Sequence, residues 1–393
     1  MGRRVIWTVF RKELLDLFRD RKTLLGTFLV PLVIIPFVFF LLGMSYSNVE
    51  KEARAYIPIT VHGTSGLVAA LEKIPGARIV QTEHPEQSLQ AGELRAIITI
   101  PPSFDDRIQA GGSAELTVAY DSTNQKSVYA RDVIEQTVKA YSQQIVAERL
   151  RHAGLSENAI QPIKSTYQNM ATEERLSGGM LAGIIPLMLV VSLASGGVAA
   201  ANDLVAGEKE RGTLESLMTA PIAANHILTA KLLTVMVMST MSAMASLVSV
   251  SLVLGIGPLD MEGTEFSLGF LSPATALVLV LTVLLLSALF AGLELGLSTI
   301  AKSFKEGQTY MSGIIFVAMV PSYMLMPLNP VDIPLYHYVL PVFNGVALCK
   351  EVFYGKVDPM HGLIGLGTML LYVAAIIALT AKLFRREGAV IKN

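Results

Sequence analysis

Six long apolar segments limit what this chain can fold into more than any other feature of its sequence. A helix needs about 20 mostly apolar residues to cross the roughly 30 Å hydrocarbon layer of a bilayer. Within the six segments, Glu294 is the only acidic or basic residue. We therefore predict an α-helical polytopic membrane protein with six transmembrane helices. The predicted spans are residues 24–44, 180–201, 232–254, 274–300, 311–328 and 362–381.

The composition agrees with membrane insertion and excludes several classes of site. Only 16% of the 393 residues are charged, whereas about 25% is typical of soluble globular chains. The 31 basic and 32 acidic residues nearly cancel, so no global field attracts nucleic acid, and nucleic-acid binding is excluded as the main function. The single cysteine, Cys349, excludes an intramolecular disulfide and any site that needs several cysteines.

The distribution of lysine and arginine predicts the orientation. Sixteen of these residues lie in four short segments, whereas two opposing loops contain only Lys350 and Lys356. Because short cytosolic flanks carry an excess of lysine and arginine, both termini are predicted to be cytosolic, and residues 45–179 to lie outside. The four basic segments are residues 1–23, 202–231, 301–310 and 382–393, and the opposing loops are residues 255–273 and 329–361.

The segment before the first span predicts an interfacial helix over residues 1–23. Its apolar residues recur at helical spacing for three turns, and its basic residues can reach lipid headgroups. An ordinary basic flank of the first span is the alternative. The apolar residues are Trp7, Phe10, Leu14, Leu17 and Phe18.

Residues 45–179 change to a polar composition that predicts a large extracytoplasmic mixed α/β domain. Four β-type runs alternate with helical stretches near 66–74 and 86–93, and a long helix is expected over 125–153. His62, His84 and His152 share no metal-binding motif and are expected at the surface. Ligand sensing, partner docking and shaping the outer mouth of a pathway stay open as roles. The β-type runs are residues 56–61, 77–80, 96–100 and 116–120.

The remainder, residues 180–393, is predicted to be a five-helix membrane region with a cytosolic loop at 202–227. In that loop Gly212 breaks a charged helix, Thr213 can cap a new one, and Pro221 forbids its continuation, which leaves a helix of two turns. Leu214, Leu217 and Met218 then form an apolar ridge beside Glu215. Such a ridge either docks a partner or folds back on its own bundle, and the spacing alone does not decide between the two.

The stretch from Glu208 to Pro221 resembles the E-x-E-[RK]-G-T-[LM]-E-x-L-x-x-x-P segment of ABC-2 type permeases. The resemblance implies that this loop couples to a separate cytosolic ABC ATPase subunit. The ATPase-coupling candidates it implies are Glu208, Glu210, Arg211, Gly212, Thr213, Leu214, Glu215, Leu217, Met218 and Pro221.

The whole layout is most similar to the membrane subunits of bacterial sodium-extruding ABC exporters. This resemblance implies a permease in the bacterial inner membrane that extrudes Na⁺ as a homodimer with two ATPase copies. Export of a drug, peptide or lipid is an alternative, as is a non-transporting multispan sensor or docking protein. No G-x-x-x-x-G-K-[ST] motif occurs in the sequence, so we expect no enzymatic activity in this chain, and expect ATP and Mg²⁺ to bind the partner subunit.

Polar residues within the spans are the candidates for a transport pathway. A charge inside a bilayer is costly, so Glu294 either faces a hydrated cation route or reaches the interface beside Lys302. The small hydroxyl residues serve either as hard oxygen ligands for Na⁺ or as close helix contacts. The remaining candidates are Ser192, Ser195, Asn202, Asp203, Ser239, Thr240 and Asn344.

Residues 341–354 are mainly apolar but shorter than a span, and they lie within the segment 335–356. The family resemblance implies a re-entrant segment there, in which Pro341 and Asn344 narrow the exit. An interfacial loop anchored by Tyr336, Tyr338 and Phe343 is the alternative.

Overall fold

The computed structural model describes residues 2–34, 51–155, 173–219, 221–256 and 272–391, with isolated positions between 37 and 49. The chain divides into two compact units. One combines Met1–Phe40 with Met170–Asn393 and is mainly helical, and the other is Leu41–Asn169.

The unit Leu41–Asn169 is built on a four-stranded sheet in the order β2-β1-β3-β4. β1 pairs in parallel with both β2 and β3, whereas β4 runs antiparallel to β3. Three of the four β-type sequence runs contain one of these strands, and the run 56–61 overlaps β1, which extends one residue further to His62. The strands are β1 (Ile57–His62), β2 (Ala77–Ile79), β3 (Ala96–Thr99) and β4 (Thr117–Tyr120).

Four helices between residues 66 and 152 pack with this sheet. The long α6 begins after Asn124, whose side chain accepts a hydrogen bond from the Lys126 backbone N–H. Ile134 of α6 and the central-strand residues Ile59 and Ile98 are buried in one apolar core. The helices are α3 (Gly66–Leu71), α4 (Pro85–Gln90), α5 (Phe104–Gln109) and α6 (Gln125–His152). Placement of this unit outside the membrane remains a prediction.

The helical unit opens with the helix predicted before the first span, α1 (Gly2–Arg19). α2 (Arg21–Leu29) follows and continues as a π-helical turn, Val30–Ile34. Leu17 is buried in the core of the unit, whereas Trp7 is 64% exposed. The predicted apolar stripe is therefore divided between contact with the bundle and an outward face.

The remaining helices form the bundle. α7 packs along α11, and α12 packs along α15. Their bounds are α7 (Glu173–Gly196), α8 (Val198–Asn202), a π-helical turn (Asp203–Gly207), α9 (Glu208–Glu210), α10 (Thr213–Thr219), α11 (Ala224–Ile256), α12 (Pro273–Ile300), α13 (Phe304–Leu325), α14 (Phe343–Phe353) and α15 (Pro359–Ile391).

Four helical segments of the described chain are long and apolar enough to cross a membrane: Ala182–Glu210, Ala224–Leu252, Pro273–Ile300 and Pro359–Arg386. They cover the predicted second, third, fourth and sixth spans. Of the predicted first span, the shorter apolar helix Thr23–Val33 is described, and most of the rest lies outside the described residues. α13, which contains Pro321, is not among the four, so the fifth span also remains a prediction.

The segment at 335–356 forms a 3₁₀ turn, Leu335–Tyr338, and then the 11-residue α14. Every residue of α14 from Asn344 to Phe353 is buried, and the helix packs against α7, α12 and α15. Of the proposed anchors of an interfacial loop, Tyr336 is 60% exposed but Tyr338 is fully buried. Burial of Tyr338 and α14 within the bundle argues against a simple surface loop.

Candidate functional site

The loop that carries the E-x-E-R-G-T-L-E motif is the direct continuation of the helix that starts at α7. After a break at Gly197, the chain runs through α8, a π-helical turn and α9. Gly212 then adopts a φ of +70°, a left-handed conformation that glycine reaches without a Cβ penalty, and α10 begins. The predicted helix break at Gly212 is thereby confirmed.

The predicted capping role of Thr213 is wrong. Thr213 is the first residue of α10 rather than the residue before it. Its hydroxyl donates a hydrogen bond of 3.2 Å back to the carbonyl oxygen of Glu208. Thr213 therefore joins α10 to α9 across the glycine turn.

A buried ion cluster fixes the start of this loop to two other helices. The fully buried Nζ atom of Lys231, on α11, lies 2.7 Å from Glu208 Oε2 of α9 and 3.1 Å from Glu13 Oε1 of α1. It also donates to the carbonyl oxygen of Leu204 at 2.8 Å. We call Glu13, Glu208 and Lys231 the Lys231 cluster.

Additional hydrogen bonds join the loop to the turn between α12 and α13. The Glu210 carboxylate accepts from the Phe304 N–H at 2.8 Å, at the first turn of α13. Ser298 Oγ, near the end of α12, accepts from the Ala206 N–H at 3.0 Å. The loop thus contacts α1, α11, α12 and α13, and a displacement of the loop would act on all four helices.

An open cavity of about 540 Å³ lies between α1 and the loop. Lys12 and Asp16 line it from α1, and Arg211 and Leu217 line it from the loop. Arg211 Nη1 pairs with the Asp203 carboxylate at 3.0 Å, so Asp203 has a local partner. The cavity wall therefore combines charges of both signs with an apolar patch.

The ridge of α10 does not face outward as a whole. Leu214 is only 2% exposed and belongs to the core of the bundle, and the half-buried Leu217 packs against the same core. This placement favours folding of α10 onto its own bundle for these two residues, while the side chain of Met218 lies outside the described positions. Glu215, Ser216 and Pro221 are exposed and provide the outward face.

Glu294 is the most isolated of the predicted pathway residues. It is fully buried on α12, and neither carboxylate oxygen has a hydrogen-bond partner among the described residues. The alternative that it reaches the interface beside Lys302 is therefore wrong. Ser239 is also fully buried, and its hydroxyl likewise lacks a described partner.

Among the other pathway candidates, the two asparagines form hydrogen bonds inside the bundle, whereas the hydroxyl residues are buried or half-buried. Asn202 donates to the Phe304 carbonyl oxygen at 2.8 Å. Asn344 donates to Thr368 Oγ1 at 3.0 Å and accepts from the Gly345 N–H at 2.8 Å, so both ends of its amide are used inside the bundle. Ser192 is buried, while Ser195 and Thr240 are half-buried. Their part in a pathway remains a prediction.

Sequence reasoning missed the partners of two buried charges. In the sequence, Glu13 and Lys231 lie in basic segments that flank the spans. The sequence gives no sign that the two pair with each other in the Lys231 cluster. Glu351 is buried and accepts from the Tyr338 hydroxyl at 2.5 Å, while its Oε1 lies 2.6 Å from His361 Nδ1. The available signal was the adjacent charged pair Lys350 and Glu351 inside a mainly apolar segment.

Comparison with known protein families decides the class of this helical bundle and its loop. The family model described as ABC-2 family transporter protein matches residues 21–382. The chain belongs to the ABC-2 family. As an ABC-2 permease it is a multi-pass membrane subunit, and the family implies a separate ABC ATPase subunit as its partner.

Permeases from Bacillus subtilis and Escherichia coli align over much of the chain. The ABC transporter permease protein NatB of Bacillus subtilis is 29% identical over 385 residues, covering 96% of this chain and 97% of NatB. The inner membrane transport permease YhhJ of Escherichia coli is 23% identical over 70% of this chain and 69% of its own length. YbhR of Escherichia coli, described as a probable multidrug ABC transporter permease, is 23% identical over 61% of this chain and 62% of its own length.

Proposed function

We propose that this ABC-2 permease is the membrane-spanning half of an ATP-driven exporter and works as a homodimer with two copies of a cytosolic NatA-like ATPase. The Lys231 cluster carries this proposal. It ties the motif-bearing loop to α1 and α11 by ion pairs of 2.7 and 3.1 Å inside the protein. A force applied to the loop is thereby passed to a membrane helix without an intervening flexible segment.

The ATPase acts on the exposed face of α10 in this mechanism. Glu215 and Ser216 are exposed there, while Leu214 anchors the opposite side of the helix in the bundle core. When the ATPase subunits bind ATP and Mg²⁺ and close, α10 moves with α9 and so displaces Lys231 and α11. α9 continues the helix of the second span, so the same displacement reaches α7.

Na⁺ is the proposed cargo, and the bacterial inner membrane is the proposed location, with both termini cytosolic. Similarity to NatB along 97% of that protein supports this assignment, as does the acidic Glu294 within a span. Similarity to YbhR keeps a second cargo class, hydrophobic drugs, as the alternative. The α/β unit then lies on the outer side.

Reconstitution of the complex tests this function. The permease is co-purified with a NatA-like ATPase subunit from the same organism, placed in proteoliposomes and supplied with ATP. We expect ATP-dependent Na⁺ movement that exceeds movement of K⁺ or of a hydrophobic dye, with Li⁺ as a second comparison. Failure of the two chains to form a complex would contradict the proposed exporter function. ATP-dependent movement of the dye without movement of Na⁺ would indicate a hydrophobic cargo in place of Na⁺.

A further inference from the structure

Two buried oxygen-bearing side chains converge on the glycine that breaks the second span. A Cβ atom added to Gly197 would overlap Glu294 Oε2 and would lie 2.5 Å from Ser239 Oγ. Glu294 and Ser239 are both fully buried, and both lack hydrogen-bond partners among the described residues. The absence of a side chain at Gly197 therefore leaves room for an acidic and a hydroxyl oxygen at the meeting point of α7, α11 and α12.

Electrostatics leave two states for Glu294 at this point, a neutral carboxyl group or a carboxylate with a positive charge beside it. An isolated ionised carboxylate in a low-dielectric interior is strongly disfavoured, and no described lysine, arginine or histidine pairs with Glu294. Protonation would remove the charge but would leave a buried O–H group that lacks an acceptor among the described residues. A bound cation satisfies the carboxylate without creating that unpaired donor.

The charge balance selects a monovalent cation. Glu294 supplies one negative charge, so a divalent ion would leave a net positive charge in the interior. Among the described residues there is no group of three His, Cys, Asp or Glu side chains that could hold a metal ion. Carboxylate and hydroxyl oxygens are hard ligands and suit small alkali or alkaline-earth ions rather than soft metals.

A row of buried hydroxyls extends from this point along α11. Ser239, Ser242, Ser246 and Ser249 recur at helical spacing and are each at most 1% exposed. Ser246 and Ser249 have no described hydrogen-bond partner, and the same is true of Thr282 on α12. Ten residues of helix correspond to about 15 Å, so the row covers roughly half of the hydrocarbon thickness.

We propose that Glu294 and Ser239 form a binding site for Na⁺ at Gly197, from which the hydroxyl row of α11 leads through about half of the hydrocarbon layer. The proposal rests on the proposed function and identifies where its cargo binds. Close packing alone explains small residues along α7 and α11, but it does not explain an unpaired carboxylate at their crossing.

Equilibrium binding of ²²Na⁺ tests the site without ATP or transport. The full chain with its ATPase, in lipid nanodiscs, should bind Na⁺ saturably. Glu294→Gln should weaken the affinity at least roughly 30-fold because it removes a buried charge. Ser239→Ala should weaken it by about 3- to 10-fold because it removes one neutral ligand.

Matched variants separate a local effect from general damage. Ser251→Ala removes an exposed hydroxyl from the other face of α11 and should bind Na⁺ like the parent. Gly197→Ala should abolish binding because its Cβ overlaps Glu294 Oε2, whereas Gly367→Ala, where nothing lies within 4 Å of the added atom, should not. If Glu294→Gln does not assemble, Ser239→Ala and Gly197→Ala still decide the question.

Labelling with dicyclohexylcarbodiimide distinguishes Na⁺ from a proton, because this reagent adds to protonated carboxyl groups. Na⁺ should protect Glu294 from labelling in a concentration-dependent manner, whereas the same concentration of K⁺ should protect it less. Absence of saturable Na⁺ binding, equal affinity in parent, Ser239→Ala and Gly197→Ala, or labelling that Na⁺ does not change would each overturn the site. ATP-driven transport in a protein that lacks this site would leave the exporter function intact.

Discussion

Lys231 is the residue on which coupling between loop and bundle most depends. Lys231→Met removes the buried cation and leaves the buried Glu13 and Glu208 with only the exposed Lys12 beside them, and breaking a buried ion cluster in this way costs about 3–5 kcal/mol. We expect a lower midpoint of thermal unfolding and loss of ATP-dependent transport. Replacing the whole cluster, Lys231→Met with Glu13→Gln and Glu208→Gln, should recover most of the stability but not the transport.

Lys12 provides the matched control for this prediction. Its ammonium group also lies near the cluster, 3.2 Å from Glu13 Oε2 and 3.8 Å from Glu208 Oε1, but its side chain is 58% exposed, and ion pairs of exposed lysines contribute at most about 1 kcal/mol. Lys12→Met should therefore unfold close to the parent temperature. Equal losses of thermal stability in Lys12→Met and Lys231→Met would contradict a special role for the buried cluster.

Glu294 and the Lys231 cluster differ in how far the sequence predicts them. Glu294 is conspicuous because it is the only charge within a span, and the sequence alone identified it. The partners of Lys231 lie 218 and 23 residues away in the chain, so no local pattern connects them. Pairing over such distances is set by helix packing, which the sequence spacing does not encode.

At the scale of elements, α10 has an inner and an outer side that should respond differently to substitution. Leu214→Asp places an unpaired charge in the core, which costs several kcal/mol and should lower the thermal midpoint. Glu215→Lys changes an exposed position and should leave that midpoint unchanged while weakening co-purification of the ATPase. The two measurements on the same variants separate folding of the loop from docking.

Ser216→Ala is a mild control for the outer side, since it removes one exposed hydroxyl without reversing a charge. It should retain the ATPase. If Glu215→Lys also retains the ATPase and transports at the parent rate, α10 is only a structural helix of the bundle. If Leu214→Asp has the same thermal midpoint as the parent, the Leu214 side chain does not pack into the bundle core and the inward orientation of α10 is wrong.

Element positions followed from the sequence more closely than element contacts did. Gly212 and Pro221 flank a helix of two turns, and each of the four β-type runs overlaps a strand. The spacing did not show that Leu214 turns inward, because an apolar ridge can pack on its own bundle or on a partner with the same periodicity. Strand order in the α/β unit likewise depends on pairing between distant segments.

At the scale of the whole molecule, the distribution of basic residues makes a prediction about topology. Sixteen lysines and arginines flank the spans on one side and two on the other, an asymmetry that places the loop containing α10 in the cytosol. The α/β unit, in a long segment whose charges do not influence orientation, must then lie outside. Two predictions therefore rest on the same asymmetry of basic residues. One is that α10 contacts a cytosolic ATPase, and the other is that the α/β unit lies outside.

The single cysteine makes this topology directly testable. Cys349 is fully buried, so a Cys349→Ala background should tolerate new cysteines at exposed positions, one on each predicted side. Glu83→Cys in the α/β unit should react with a membrane-impermeant maleimide in intact spheroplasts, whereas Glu215→Cys in α10 should react only after the membrane is permeabilised. The Cys349→Ala parent, labelled in parallel, measures the background. Labelling of Glu215→Cys from outside would invert the topology, and an ATPase in the cytosol could then not contact α10.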